Sequence, residues 1–75
     1  MKTVEQAESL LTALQTARDT LPNNDHWGNS NDEEKYNIRR YILAVQNFIV
    51  GKPCGDDDVQ SWIDGRDDAY LNDYL

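Results

Sequence analysis

Residues 30–53 read SNDEEKYNIRRYILAVQNFIVGKP, and this stretch decides the fold class. Ile38, Ile42, Val45 and Ile49 recur at i, i+4, i+7 and i+11, the spacing of one face of an α-helix. Tyr41 and Phe48 widen that face. Asp32, Glu33 and Glu34 put negative charge on the first turn, where unpaired backbone N–H groups make the helix end positive. Ser30 with Glu33, or Asn31 with Glu34, has the spacing of a capping box, in which each partner's side chain satisfies the other's N–H. Gly51 suits a left-handed C-terminal cap, and Pro53 has no N–H with which to continue. The spacing predicts a helix over about 32–50.

Towards the N-terminus, Val4, Ala7, Leu10, Leu11, Leu14 and Ala17 form a second apolar stripe, predicting a helix over about 4–19. Thr3 and Gln6 supply its capping box, and Glu5 and Glu8 sit near its positive end. Leu21 extends the stripe, and Pro22 ends the helix by disfavouring the α conformation in the residue before it. Residues 22–31 (PNNDHWGNSN) are turn formers, apart from Trp27, which is expected to plug the helix pair.

Towards the C-terminus, Asp56, Asp57 or Asp58 can cap a short helix over about 57–64 that carries Val59, Trp62 and Ile63. Gly65 is expected to break it, and a last helix over about 67–74 carries Tyr70, Leu71 and Tyr74. One kinked helix from Asp57 to Leu75 is the alternative. No segment alternates with the two-residue period of a strand. The expectation is an all-α protein, a small three- to four-helix bundle formed by residues 1–75 as a single domain.

Several kinds of chemistry lack their residues. His26 and Cys54 are the only histidine and cysteine, so a protein-only zinc site has too few ligands and an internal disulfide cannot form. A reducing, cytoplasmic setting is therefore expected. A Cys54–His26 nucleophile pair is conceivable, but a small residue in the turn after a helix explains Cys54 equally well. Residues 23–34 partly match a calcium-binding EF-hand loop, with Asp25 third, Gly28 sixth and Glu34 twelfth. Asn23 stands where Asp is usual, Trp27 where an oxygen ligand is needed and Ser30 where an apolar residue packs, so the match reads as coincidence. There is no glycine-rich phosphate loop and no nucleophile elbow. Neither an enzyme nor a bound cofactor is expected.

The charge is unevenly spread. Of a net −7, residues 1–53 carry −1, from seven acids and six bases. Residues 54–75 carry −6, from Asp56, Asp57, Asp58, Asp64, Asp67, Asp68 and Asp73 against Arg66 alone. A negative molecule gains nothing by displacing the counterions of nucleic acid or approaching anionic lipid, which argues against both as direct ligands. No apolar run approaches the roughly 20 residues of a membrane span, and the N-terminus lacks the apolar core of a signal peptide.

Trp62, Tyr70 and Tyr74 lie among these aspartates, whereas a purely solvating acidic tail is poor in aromatics. Aromatic anchors with carboxylates suit a surface that docks on a basic partner: rings fill pockets, and acids steer approach and pair with Arg or Lys. The expected contact set is Asp56, Asp57, Asp58, Trp62, Asp64, Asp67, Asp68, Tyr70, Asp73 and Tyr74. The alternative is that the aspartates are helix caps and the rings a third side of the core. The expected partner is the basic surface of a nucleic-acid-binding protein or complex. A homodimer is a further expectation, either through the apolar helix faces or with a basic spot at Arg39 and Arg40 holding an acidic patch of a second copy. In general character such a molecule resembles the small inhibitors of phages and mobile elements, including anti-CRISPR proteins and other DNA mimics, though no motif ties it to one family. An immunity protein or antitoxin against a nuclease or toxin, and a dimerising adaptor subunit, are the alternatives.

Overall fold

The structure, a computed structural model, describes residues 1–21, 30–66 and 69–75, with the side chains of residues 30–32 left aside. It is a small all-α bundle. Four helices are present among the described residues: α1 (Val4–Thr20), α2 (Ser30–Ile49), α3 (Asp57–Asp64) and α4 (Ala69–Asn72). No strand occurs among them.

At the start of α1, Gln6 donates its N–H to Thr3 Oγ1 at 3.1 Å, and Thr3 donates its own to Gln6 Oε1 at 2.8 Å. Both partners of the expected capping box are thus engaged. Ala7, Leu10 and Leu14 are buried along its inner face, and Leu21, in extended conformation, closes the helix by donating to Ala17 O.

The long axis of the molecule, about 40 Å, exceeds the roughly 30 Å span of a twenty-residue helix. Ile38, Tyr41, Ile42, Ala44 and Val45 of α2 are buried, and Phe48 and Ile49 pack at the edge of the core. α2 begins two residues before the expected start and ends one residue before Val50. Ser30, expected as its cap, therefore lies in the helix. Ser, Asn and Asp all suit a helix start, so spacing alone does not say where among them the first turn begins. At the other end Gly51 has φ +86°. Gly51 N–H bonds to Phe48 O at 3.1 Å and Lys52 N–H to Asn47 O at 2.8 Å, which is the Schellman closure.

α3 has the expected bounds and buries Val59, Trp62 and Ile63. Gly65, at φ +76°, ends it with the same closure, through bonds to Trp62 O and from Arg66 to Ser61 O. That left-handed turn excludes one continuous helix from Asp57 to Leu75. α4 is a single turn that ends at Asn72, two residues before the expected end, and its expected start at Asp67 and Asp68 lies outside the described residues. After Asn72, the N–H groups of Tyr74 and Leu75 bond three residues back, to Leu71 O and Asn72 O, which tightens the chain out of α geometry.

α1 packs against α2, α3 packs against α2, and α4 packs against α3. The chain start is fastened to the end of α3: Lys2 N–H bonds to Ile63 O at 2.8 Å, and Lys2 Nζ lies 5.0 Å from the Trp62 ring centre. The core so formed is apolar, with no polar or charged side chain fully buried among the described residues. None of their helices is long and apolar enough to cross a membrane.

Candidate partner-binding surface

The tail aspartates divide by what holds them. Asp56 is the N-cap of α3: its Oδ1 accepts from Asp58 N at 3.0 Å and Val59 N at 3.1 Å. Its Oδ2 accepts from Arg40 Nε of α2 at 2.7 Å, and its side chain is only 8% exposed. The carboxylate thus fastens α3 to α2 and has little surface left for a partner. Asp58 is more open. Its Oδ2 accepts from Tyr41 Oη at 2.9 Å and lies 3.4 Å from an Arg40 terminal nitrogen, with the side chain 55% exposed.

Burial acts to lower the Arg40 pKa, but Asp56, Tyr41 and Asp58 together outweigh it and raise the value. Arg40 is therefore a fixed cation between two carboxylates of its own chain. The expected basic spot at Arg39 and Arg40 is divided accordingly. Arg40 turns to α3, while exposed Arg39 lines a shallow groove with Gln15, Arg18 and Gln46 on the α1 side.

Asp57 and Asp64 are both exposed and lie seven residues apart on α3. Seven residues is close to two turns, so both point from the outward face, about 10.5 Å apart along the axis. Ser61 lies between them on that face. Asp64 also accepts from Gln60 Nε2 at 3.0 Å and lies 3.4 Å from Arg66. Among the described residues Asp57 and exposed Asp73 have no ion-pair partner. Asp67 and Asp68 lie outside the described residues.

The aromatic residues divide as well. The docking role expected of Trp62 is corrected: the ring is 1% exposed and lies in the core, with Nε1 donating to Asn72 Oδ1 at 2.8 Å. Its spacing from Val59 and Ile63 already fitted the core alternative. Tyr70, by contrast, is 52% exposed. Its ring meets Tyr41 edge to face at 6.2 Å and Tyr74 at 6.4 Å. Tyr74 is half-buried beside the core.

Burial, then the hydrogen bond to Asp58 and the nearness of Tyr70, push the Tyr41 phenol well above its ordinary value. Burial, then Tyr70 and Glu34, push Tyr74 up to about 12. Both phenols are therefore neutral hydrogen-bonding groups near neutral pH.

Asn37, Arg40, Tyr41, Asp58, Ser61 and Tyr70 surround an open cleft of about 350 Å³ where α2, α3 and α4 meet. Arg40, Tyr41 and Asn37 were not among the expected contacts. All three are on α2, twenty-eight or more residues from α4, and nothing in their local pattern signals that α3 and α4 fold back over them.

Cys54 is buried, with Sγ donating to Gln60 Oε1 at 3.2 Å and, more weakly, to Asp56 O at 3.6 Å. It acts as a small core residue with a satisfied thiol. His26, the calcium-loop reading of residues 23–34 and the Trp27 plug fall on or across residues outside those described. Among the described residues no three His, Cys, Asp or Glu side chains converge as metal ligands would.

The result is an all-α bundle with an acidic α3 face and a tyrosine-lined cleft beside it. Comparison with known proteins returns no matching family model, no similar curated protein and no similar solved structure.

Proposed function

We propose that the chain is a non-enzymatic binding protein whose acidic α3–α4 side blocks a basic, nucleic-acid-binding surface of another protein. Its action would be that of a small phage- or mobile-element-type inhibitor, in the manner of anti-CRISPR proteins and DNA mimics. The observation that carries this reading is the pairing of Asp57 and Asp64 on the outward face of α3, with Asp58 and half-exposed Tyr70 at its side. The two carboxylates project from one face about 10.5 Å apart along the helix, so a groove lined with Arg and Lys for phosphates would meet a row of negative charge there. Tyr70 offers the rigid aromatic anchor, with its polar tip outward. Asp56 and Trp62 hold the surface in place from beneath.

The test compares immobilised wild-type protein with the Asp57→Asn/Asp64→Asn/Asp73→Asn variant in one host lysate. The wild type is expected to retain a basic nucleic-acid-binding protein, and the variant to lose it while keeping its circular dichroism. Retention should fall between about 0.1 M and 1 M salt, as the screening length shrinks from about 10 to 3 Å. Adding wild-type chain should then displace nucleic acid from the captured protein. Equal retention by the variant, or nucleic-acid binding that the chain leaves untouched, would sink the reading.

A further inference from the structure

The residues around the cleft between α2, α3 and α4 point to the kind of group it takes. Tyr41, buried, forms its floor. The Tyr41 hydroxyl donates to Asp58 Oδ2 at 2.9 Å, and its ring meets the ring of Tyr70 edge to face at 6.2 Å. One buried side chain thus sets a carboxylate on one side and a second, half-exposed ring on the other. Arg40 and Tyr41 both engage Asp58 through Oδ2, and among the described residues nothing bonds to Oδ1. Asn37 and Ser61 also line the cleft, and among the described residues their side chains have no hydrogen-bond partner. The charges do not balance. Arg40 carries one positive charge, while its partners Asp56 and Asp58 carry one negative charge each. A cation gains from this surplus, whereas an anion would have to compete with Asp56 and Asp58 for Arg40.

We propose that the cleft receives an arginine side chain, presented by the basic partner on which the acidic side of the molecule docks. This deepens the docking reading above and rests on it for the source of the arginine. A guanidinium is planar, carries five N–H donors in a fork and is more weakly hydrated than an ammonium. Its donors suit the acceptors left over in the cleft: Asp58 Oδ1, Ser61 Oγ and Asn37 Oδ1. Its face suits the ring of Tyr70 through cation–π attraction. Lysine offers a compact, strongly hydrated charge that pairs with Asp58 but makes poor use of the other acceptors and the ring. The chain already contains one such arrangement. The Arg40 guanidinium carbon lies 5.3 Å from the Tyr41 ring centre while its nitrogens reach Asp56 and Asp58. The incoming arginine repeats it on the next tyrosine and on the other oxygen of Asp58.

Amide-resolved NMR of the full chain tests this with the Nα-acetyl amides of arginine, lysine and citrulline, the last having the shape of arginine without its charge. At matched chloride, the arginine compound should shift Asn37, Ser61 and Tyr70 and saturate in the range of about 1–50 mM. The lysine compound is expected to bind about fivefold or more weakly, and the citrulline compound about tenfold or more weakly. Asp58→Asn keeps an oxygen for the Tyr41 hydroxyl but should abolish saturation. Tyr70→Ala should weaken binding and Tyr70→Phe restore it, since the ring rather than the hydroxyl meets the guanidinium. Glu8→Gln, which removes the same charge from exposed α1, should leave the titration unchanged. Equal binding of arginine and lysine, saturation that survives Asp58→Asn, or shifts that never saturate would each overturn the inference. The titration needs no partner protein, so it is separate from capture. A protein retained from lysate, beside a titration without preference for arginine, refutes this inference and leaves the docking reading standing. Arginine saturation without a captured protein refutes the docking reading and keeps the preference of the cleft.

Discussion

Asp56 has two oxygens and two tasks. One caps α3 and the other holds Arg40. Asn at this position keeps an acceptor for the backbone but loses the charge, whereas Ala loses both. Asp56→Ala is expected to cost about 1–2 kcal/mol through the cap alone, with a further loss from leaving Arg40 without its closest carboxylate. Asp56→Asn should cost less. Urea denaturation of the two variants checks the order, and equal losses would show that the Arg40 contact contributes nothing. The tyrosines give a pH signature at the same scale. A phenol whose pKa is raised by folding stabilises the folded state fully below its unfolded value of about 10. That stabilisation is lost as pH rises through the folded value, about 12 for Tyr74 and higher for Tyr41. The melting temperature should therefore fall from about pH 10 upward, and Tyr74→Phe should flatten the first part of that fall. Phenolate absorbance followed over the same range shows which rings have ionised.

At the scale of elements, the closures do most to define where helices stop. Gly51 and Gly65 both adopt left-handed conformations and both close Schellman turns. A Cβ built on Gly65 meets no atom within 4 Å. Any cost of Gly65→Ala is then one of backbone conformation rather than of crowding. The expected loss is about 1–2 kcal/mol, the penalty of placing an L side chain in the left-handed region, and thermal melting measures it. A neutral outcome would mean that the turn readily shifts out of that region. The two caps differ in reach. Thr3 and Gln6 serve α1 alone, so their effect is local. Asp56 starts α3 and joins it to α2, so the charge layout and the packing of the bundle meet in one side chain.

At the scale of the whole molecule, Trp62 links three parts of the chain. It lies in the core, bonds to Asn72 of α4 and receives Lys2 from the chain start. Trp62→Ala is expected to cost about 3–5 kcal/mol, the range for emptying a large aromatic site in a core. Denaturant titration gives the value, and a loss below about 1 kcal/mol would return the ring to the surface. Because α3 and α4 hang on this residue, such a variant should lose partner binding together with folding. Tyr70→Ala, at a half-exposed site, should weaken binding while leaving most of the stability in place. The contrast separates a residue that supports the binding face from one that forms it.

The two long helices, the capping box at Thr3 and Gln6 and the bounds of α3 were legible in the amino-acid order. Each rests on contacts within a few residues: an apolar period, a side chain reaching three positions back, a glycine at a helix end. The uneven charge was equally plain, because it is a count along the chain. The burial of Trp62, the division of Arg39 from Arg40 and the cleft at Tyr41, Asp58 and Tyr70 were decided only by the tertiary structure. The bonded pairs that meet there are separated by sixteen positions or more along the chain, Arg40 from Asp56 and Tyr41 from Asp58. Arg39 and Arg40 are adjacent cations on one helix, and only the packing of α3 against α2 determines that Arg40 is the one of the two held by Asp56 and Asp58. Local order therefore settled which segments are helices and where charge is plentiful. Three-dimensional packing settled which charges remain exposed, because neutralisation depends on distance in space rather than distance in sequence.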